Sequence, residues 1–215
     1  MITTSYEEVQ NYASQFTTAP TLLLSKIYEE TWGNCPMPQM ISGHLQGRVL
    51  AMFSHMIQPM YILEIGTYTG YSALSLAAGL QAGGVLHTID NNPTHAAKVK
   101  GYLQTANKAA QLRFHLGDAL AIIFTLDYQF DLVFIDADKK NYGNYYDLVL
   151  PKVREGGFIL IDNVLWGGKV FDTTQQKVDK RTKAIINLNN KVHSDTGVEN
   201  VLFPIRDGLM VLRKK

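Results

Sequence analysis

Five acidic residues recur at comparable places along the chain, and their placing suggests chemistry. Glu64, Asp90, Asp136 and Asp162 each lie in or directly after a short apolar run, near its carboxyl end, and Asp118 follows another such run by one glycine. In an open parallel α/β sheet, ligands bind in the crevice beyond the carboxyl ends of the strands. Acids at those ends would line a pocket with carboxylates. Any single one can instead cap the helix that follows. Asp136 and Asp162 fit that plainer role less well, because each ends a strongly apolar run and leads into further polar groups, Asp138-Lys139 and Asn163.

The segment after the first run reads Glu64-Ile65-Gly66-Thr67-Tyr68-Thr69-Gly70-Tyr71-Ser72. Gly66 and Gly70 permit a tight turn and close approach of backbone to a ligand. The dinucleotide pattern of three glycines is absent, since Tyr68 stands at its second position. Asp90, ending the next run, can accept hydrogen bonds from ribose hydroxyls. Several carboxylates without a basic residue in the loop serve a pyrophosphate poorly and a cationic sulfonium nucleoside well. S-adenosylmethionine is therefore preferred over a nicotinamide dinucleotide. Asp136, Asp162 and Asn163 add hard oxygen donors, which suit Mg²⁺, Mn²⁺ or Ca²⁺ rather than zinc. An Asp-Asn pair also forms turns, so three donors leave a metal and a purely structural reading both open.

The elements that must position these residues follow from periodicity. Apolar runs at 61–65, 85–89, 112–116, 132–135 and 158–161 read as buried strands. Helical patterns separate them; Ala96, Val99, Leu103, Ala106 and Ala110 form one stripe. This alternation predicts a parallel sheet covered on both faces. Runs at 198–205 and 209–212, joined through Arg206-Asp207-Gly208, predict an antiparallel hairpin at the end. The expected fold is a Rossmann-like, seven-stranded mixed α/β sheet with helices on both faces. Residues 1–58 read as a helical N-terminal cover on a 59–215 core, with Tyr6, Val9, Ala13 and Phe16, then Leu45, Val49, Met52 and Met56, at helical spacing.

Composition sets outer bounds. The 215 residues suffice for a single domain, and 20 basic against 19 acidic residues argue against a generally polybasic nucleic-acid binder. Cys35 is the sole cysteine, which excludes an internal disulfide and a cysteine-rich zinc site. No apolar run approaches the roughly 20 residues that span a bilayer, and the N-terminus shows no secretory pattern. A soluble cytoplasmic protein with no membrane partner is expected.

Three blocks carry a resemblance: residues 64–72, Asp136-Ala137-Asp138-Lys139-Lys140-Asn141-Tyr142, and Asp162-Asn163-Val164-Leu165-Trp166. Together they resemble the cation-dependent class I O-methyltransferases, the caffeoyl-CoA and catechol O-methyltransferase group, and most closely its small bacterial members. The resemblance covers roughly residues 38–215. It implies that Asp136, Asp162 and Asn163 coordinate a divalent cation, Mg²⁺ first. It implies that Gly66, Tyr68 and Ser72 line the methionine part of S-adenosylmethionine with Glu64 near it, that Asp90 holds the ribose, and that Asp118 and Ala119 border the adenine. Ser42, Asp138 and Tyr145 match positions near cofactor or substrate. Lys139 stands where catechol-type members carry a candidate general base; otherwise it is a surface lysine beside Lys140. Trp166 would wall the acceptor pocket, or serve as a core aromatic.

Three departures bear on the acceptor. Gly167 stands where plant caffeoyl-CoA enzymes usually have Asn, the N-terminal extension is short, and His44-Leu45-Gln46 differs from the acidic plant version. The expected activity is methylation of a vicinal-dihydroxy aromatic small molecule. One alternative is methylation of a hydroxyuridine in tRNA, since Lys169, Lys177, Lys180, Arg181, Lys183 and Lys191 face only Asp172 and Asp179 over that stretch; the plainer reading is a solvated helix face. A non-catalytic module binding S-adenosylmethionine is the other. Relatives of this kind are commonly dimeric, so a homodimer is expected.

Overall fold

The computed structural model describes residues 5–171 and 178–215. Seven strands form one sheet: β1 (Tyr61–Ile65), β2 (Val85–Asp90), β3 (Leu112–Leu116), β4 (Phe130–Ile135), β5 (Val153–Asp162), β6 (Val198–Phe203) and β7 (Leu209–Lys214). Their order is β3-β2-β1-β4-β5-β7-β6. The first five are parallel, and β7 enters antiparallel between β5 and β6. The order reverses between β1 and β4, so the carboxyl ends of β1, β2, β4 and β5 open on one crevice.

Each central strand is apolar on both faces because helices cover both. Leu63, Ile65, Val133 and Ile135 pack on one side against α6 (Ala119–Thr125), α7 (Tyr142–Val149) and α8 (Lys180–Ser194). Ile62, Leu86, Leu132 and Phe134 pack on the other against α3 (Gly43–Ile57), α4 (Tyr71–Leu76) and α5 (Ala96–Thr105). The remaining helices are α1 (Tyr6–Gln15) and α2 (Leu22–Asn34). Ser5 opens α1 with a reciprocal capping box to Glu8, and Thr21 caps α2. Ile27 of α2 packs with Ile41, Tyr71 and Tyr102, which seats this helix beside the crevice.

Two boundaries and one helix face differ from the sequence reading. The stripe through Ala106 and Ala110 stops early: α5 ends at Thr105, Ala106 is extended, and a separate short turn spans Ala109–Gln111. β5 begins at Val153 rather than Phe158, because the Gly156-Gly157 pair lets an otherwise polar stretch join the sheet; Gly156 has φ +72°. In α3 the apolar spacing marks the wrong face. Met52 and Met56 are exposed, while Gln46, Gly47, Leu50, Ala51 and Ser54 turn inward. Small residues win there because the helix lies close to its neighbours, and a Cβ on Gly47 would sit 2.5 Å from the Tyr71 ring.

Candidate active site

Hydrogen bonds between strand ends shape the crevice. The Gly66 N–H donates to Ile89 O, that of Gly117 to Asp90 O, and that of Asp136 to Ile65 O, each at 2.9 Å. The chain therefore leaves β1, β2, β3 and β4 in register, with the following loops aligned along one edge. Beyond that edge lies a cavity of about 700 Å³. Its wall includes Ser42, Gly66, Tyr68, Ser72, Asp90, Asp118, Ala119, Asp136, Asp138, Lys139, Tyr145, Asp162, Asn163 and Trp166. Of the residues that the resemblance places around cofactor, cation and acceptor, all but Glu64 are on that wall.

Glu64 lies beneath it. The side chain is fully buried, accepts a hydrogen bond from the Thr88 hydroxyl, and leaves Oε1 without a partner. Burial pushes its carboxyl up to about 8, against the opposing effect of the Thr88 and nearby Ser72 hydroxyls, and the charges of Asp136 and Asp90 add to the rise. Glu64 thus lies under the loop rather than on the cavity wall, because β1 turns this side chain into the packed face of the sheet.

Asp90 organises the glycine loop. Its Oδ2 accepts the N–H groups of Thr67 (3.1 Å) and Tyr68 (2.7 Å), and its Oδ1 accepts that of Asn92 (2.8 Å). Tyr68 is held at φ +48° and donates its hydroxyl to Met37 O at 3.1 Å, which ties the loop to the N-terminal segment. Asp118 and Asp138 take the plainer role as well: each side chain caps the next turn, through Leu120 N–H and Lys140 N–H, while still facing the cavity.

The strongest convergence is around Lys139. Its Nζ donates to Asp136 Oδ1 (2.7 Å), to Asn163 Oδ1 (2.6 Å) and to the Tyr142 hydroxyl (2.5 Å). The lysine side chain is only 11% exposed, so the surface-lysine reading is set aside; Lys140 is the solvated one. Asp162 sits beside this group, 3% exposed, with Oδ1 unpartnered. Burial and then the charge of Asp136 raise its proton affinity, opposed by the Gln46 amide, Lys139 and Arg206. Tyr142 is fully buried, and burial with the charges of Asp136 and Asp162 holds its phenol well above the ordinary value. It is a neutral partner for the lysine.

The loop after β5 is conformationally unusual. Asn163 (φ +59°) and Trp166 (φ +50°) both adopt left-handed backbone, followed by Gly167 and Gly168 at φ +61° and +78°. Such non-glycine positions persist where surrounding structure over-determines them. Here the Val164 N–H donates to Gly208 O and the Leu165 N–H to Asp207 O, which pins the loop to the turn between β6 and β7. Trp166 packs against the core and also lines the cavity.

A family model described as O-methyltransferase matches residues 14–215. The chain belongs to that family. This O-methyltransferase is 32% identical over 178 residues to caffeoyl-CoA O-methyltransferase 1 of Eucalyptus globulus, across 79% of this chain and 72% of that one. It is 31% identical over 179 residues to tricin synthase 2 of Oryza sativa subsp. japonica, across 79% of this chain but only 61% of that protein. Among solved structures, the SAH-bound methyltransferase of Podospora anserina matches with a TM-score of 0.89 at 26% identity, over 100% of this chain and 99% of that one. The chain is accordingly a class I, S-adenosylmethionine-dependent O-methyltransferase of the caffeoyl-CoA O-methyltransferase-like group.

Among the wall and near-wall residues of the methyltransferase to which sequence reading gave no role are Gln46, Tyr142 and Arg206. Tyr142 was visible as the last residue of a quoted block, without a role. Arg206 stood in a hairpin turn, where a charged residue is ordinary and carries no signal. Among the basic residues of the 169–191 stretch, Arg181 faces the cavity; Lys180 and Lys183 lie on the exposed side of α8, and Lys191 pairs with Asp147 at 2.5 Å. Lys177 and Asp172 lie outside the described residues. No helix among the described residues is long and apolar enough to cross a membrane.

Proposed function

We propose that this enzyme transfers the methyl group of S-adenosylmethionine to one hydroxyl of a vicinal-dihydroxy aromatic small molecule, with a divalent cation. The observation that carries the reading is the meeting of Asp136 Oδ1 and Asn163 Oδ1 on one cationic centre, Lys139 Nζ, within 2.7 Å, in the cavity that also holds the glycine loop. The volume suits a nucleoside cofactor together with a small acceptor.

The residues present fit a divalent ion. Asp136, Asn163 and the unpartnered Asp162 Oδ1 are hard oxygen donors in one corner, and their net negative charge already attracts the Lys139 ammonium. They would hold the ion, which when bound supplies positive charge that lowers the proton affinity of an acceptor hydroxyl. Lys139, in its neutral amine form and placed by Tyr142, would face that hydroxyl and accept its proton. Asp90 and the loop it anchors would seat the ribose and methionine parts of the donor. Tyr68 and Trp166 wall the space between donor and acceptor and limit water there, which favours a transition state in which a hydroxylate and a sulfonium lose opposite charges. Orientation of the two reactants supplies much of the remaining rate.

The test is a panel of vicinal diols, monophenols and unmodified or hydroxylated tRNA, incubated with labelled methyl donor with and without Mg²⁺. Methylation of diols that disappears in excess chelator is expected. Full activity in chelator overturns the cation requirement, and labelling of tRNA alone overturns the acceptor class.

A further inference from the structure

Arg206 lines two adjoining cavities. The first is the reaction cavity; the second, about 560 Å³, lies among the N-terminal helices beside Tyr28 and Trp32, and shares Ser42 and Tyr71 with the first. Among the described residues only one nitrogen of the guanidinium is engaged: Nη1 donates to Ser42 O and to Gln46 Oε1 (2.8 Å). Among the described residues no carboxylate forms an ion pair with it. The neighbouring acid, Asp207, is committed to the Gly167 N–H at 2.5 Å. Asp162 feels the guanidinium charge, but Gln46 lies between them.

The backbone around this arginine is fastened from two sides. Tyr6 donates its hydroxyl to the carbonyls of Pro204 (2.6 Å) and Arg206 (2.8 Å), while Leu165 N–H reaches Asp207 O at 2.9 Å. Arg206 is therefore held at a set position relative to the loop that begins with Asp162 and Asn163. A half-buried cation with unused N–H groups and no counter-ion is an incomplete arrangement, because desolvated charge is costly until paired. A guanidinium fork matches a carboxylate in two parallel hydrogen bonds.

We propose that Arg206 selects the acceptor by charge, holding a carboxylate carried on the side of the aromatic ring remote from the reacting hydroxyls. This rests on the dihydroxy-aromatic reading above and narrows it to aromatic acids. The second cavity gives a longer side chain room to bring its carboxylate to the same guanidinium.

The test uses dihydroxy derivatives of benzoate, phenylacetate and cinnamate, each beside its neutral carboxamide. The wild type should favour at least one acid over its carboxamide by about tenfold or more in kcat/KM, the size of a charge-assisted pair. R206Q should bring that ratio close to one, and R206K, which keeps the charge without the fork, should fall between. Calorimetric binding of the same pairs to the enzyme loaded with S-adenosylhomocysteine reads the preference without turnover. Equal wild-type treatment of both members of every pair overturns the proposal, as does a preference that survives in R206Q. Should R206Q not fold, a preference retained in full by R206K overturns it equally. Preferential binding of the acids with no methylation of any compound supports the role of Arg206 and rejects the reaction proposed above.

Discussion

Gly66 meets Asp136 backbone to backbone: a Cβ on Gly66 would lie 1.9 Å from the Asp136 carbonyl oxygen. The loop that faces the methyl donor and the strand end that carries the oxygen cluster are thereby one packed unit. No side chain fits between them, and Gly66 also has φ +98°.

Gly66→Ala should accordingly destabilise the fold by about 2–4 kcal/mol, from overpacking plus left-handed backbone. The denaturant midpoint measures it. An unchanged midpoint with intact cofactor binding would show that β1 and β4 can part at their ends without cost.

Lys139→Met should lower turnover by about 10²–10⁴-fold, the range typical of a lost general base. The side chain is nearly isosteric, so Tyr142 and the core around it should stay in place. A rate and pH profile matching the wild type would reduce Lys139 to a counter-ion for Asp136.

Asp90→Asn separates two duties. The amide oxygen can still accept the Thr67 and Tyr68 N–H groups, although the NH2 group cannot accept that of the exposed Asn92, and the charge that suits ribose hydroxyls is gone. Affinity for S-adenosylhomocysteine should fall by about tenfold or more, while the melting temperature changes little. Calorimetry that finds equal affinity removes Asp90 from the ribose site.

Glu64 should make stability depend on pH. Its folded value of about 8 lies above the ordinary 4.5, so the folded state binds the proton more tightly. The stabilisation is complete below the unfolded value and is lost as pH rises through the folded one, with a slope of up to about 1.4 kcal/mol per pH unit between them. Glu64→Gln keeps the hydrogen-bonding shape without the titration. Urea midpoints of the two proteins should therefore diverge from pH 5 to pH 8, with the variant gaining relative to the wild type. Parallel curves would place the Glu64 carboxyl back in the ordinary range.

Strand periodicity was legible because a strand buried on both faces must be largely apolar, and the runs ending at Ile65, Ile89 and Ile135 are, broken only by Glu64 in the first and by His87 and Thr88 in the second. Helix boundaries were less so. The Ala96-to-Ala110 spacing continues in sequence past the point where α5 stops, since the chain must turn at Ala106 to enter β3. In α3, the distance to the neighbouring helix decided which face is buried, and that distance is set by Gly47 and Gly79 rather than by any apolar stripe. A Cβ on Gly79 would fall 2.1 Å from the Ser54 backbone.

Sequence alone determined the fold class, the edge on which the acids gather and the family, because strand-end acids and glycine turns are local features that repeat in register with the chain. Tertiary structure decided what each polar group faces. It brought Lys139 onto Asn163, 24 positions away, buried Glu64 beneath the wall rather than on it, and set Arg206 against Ser42 across 164 positions. Those outcomes depend on which face of a strand or turn meets which neighbour, and charge pairing and burial across such distances leave no local pattern to read.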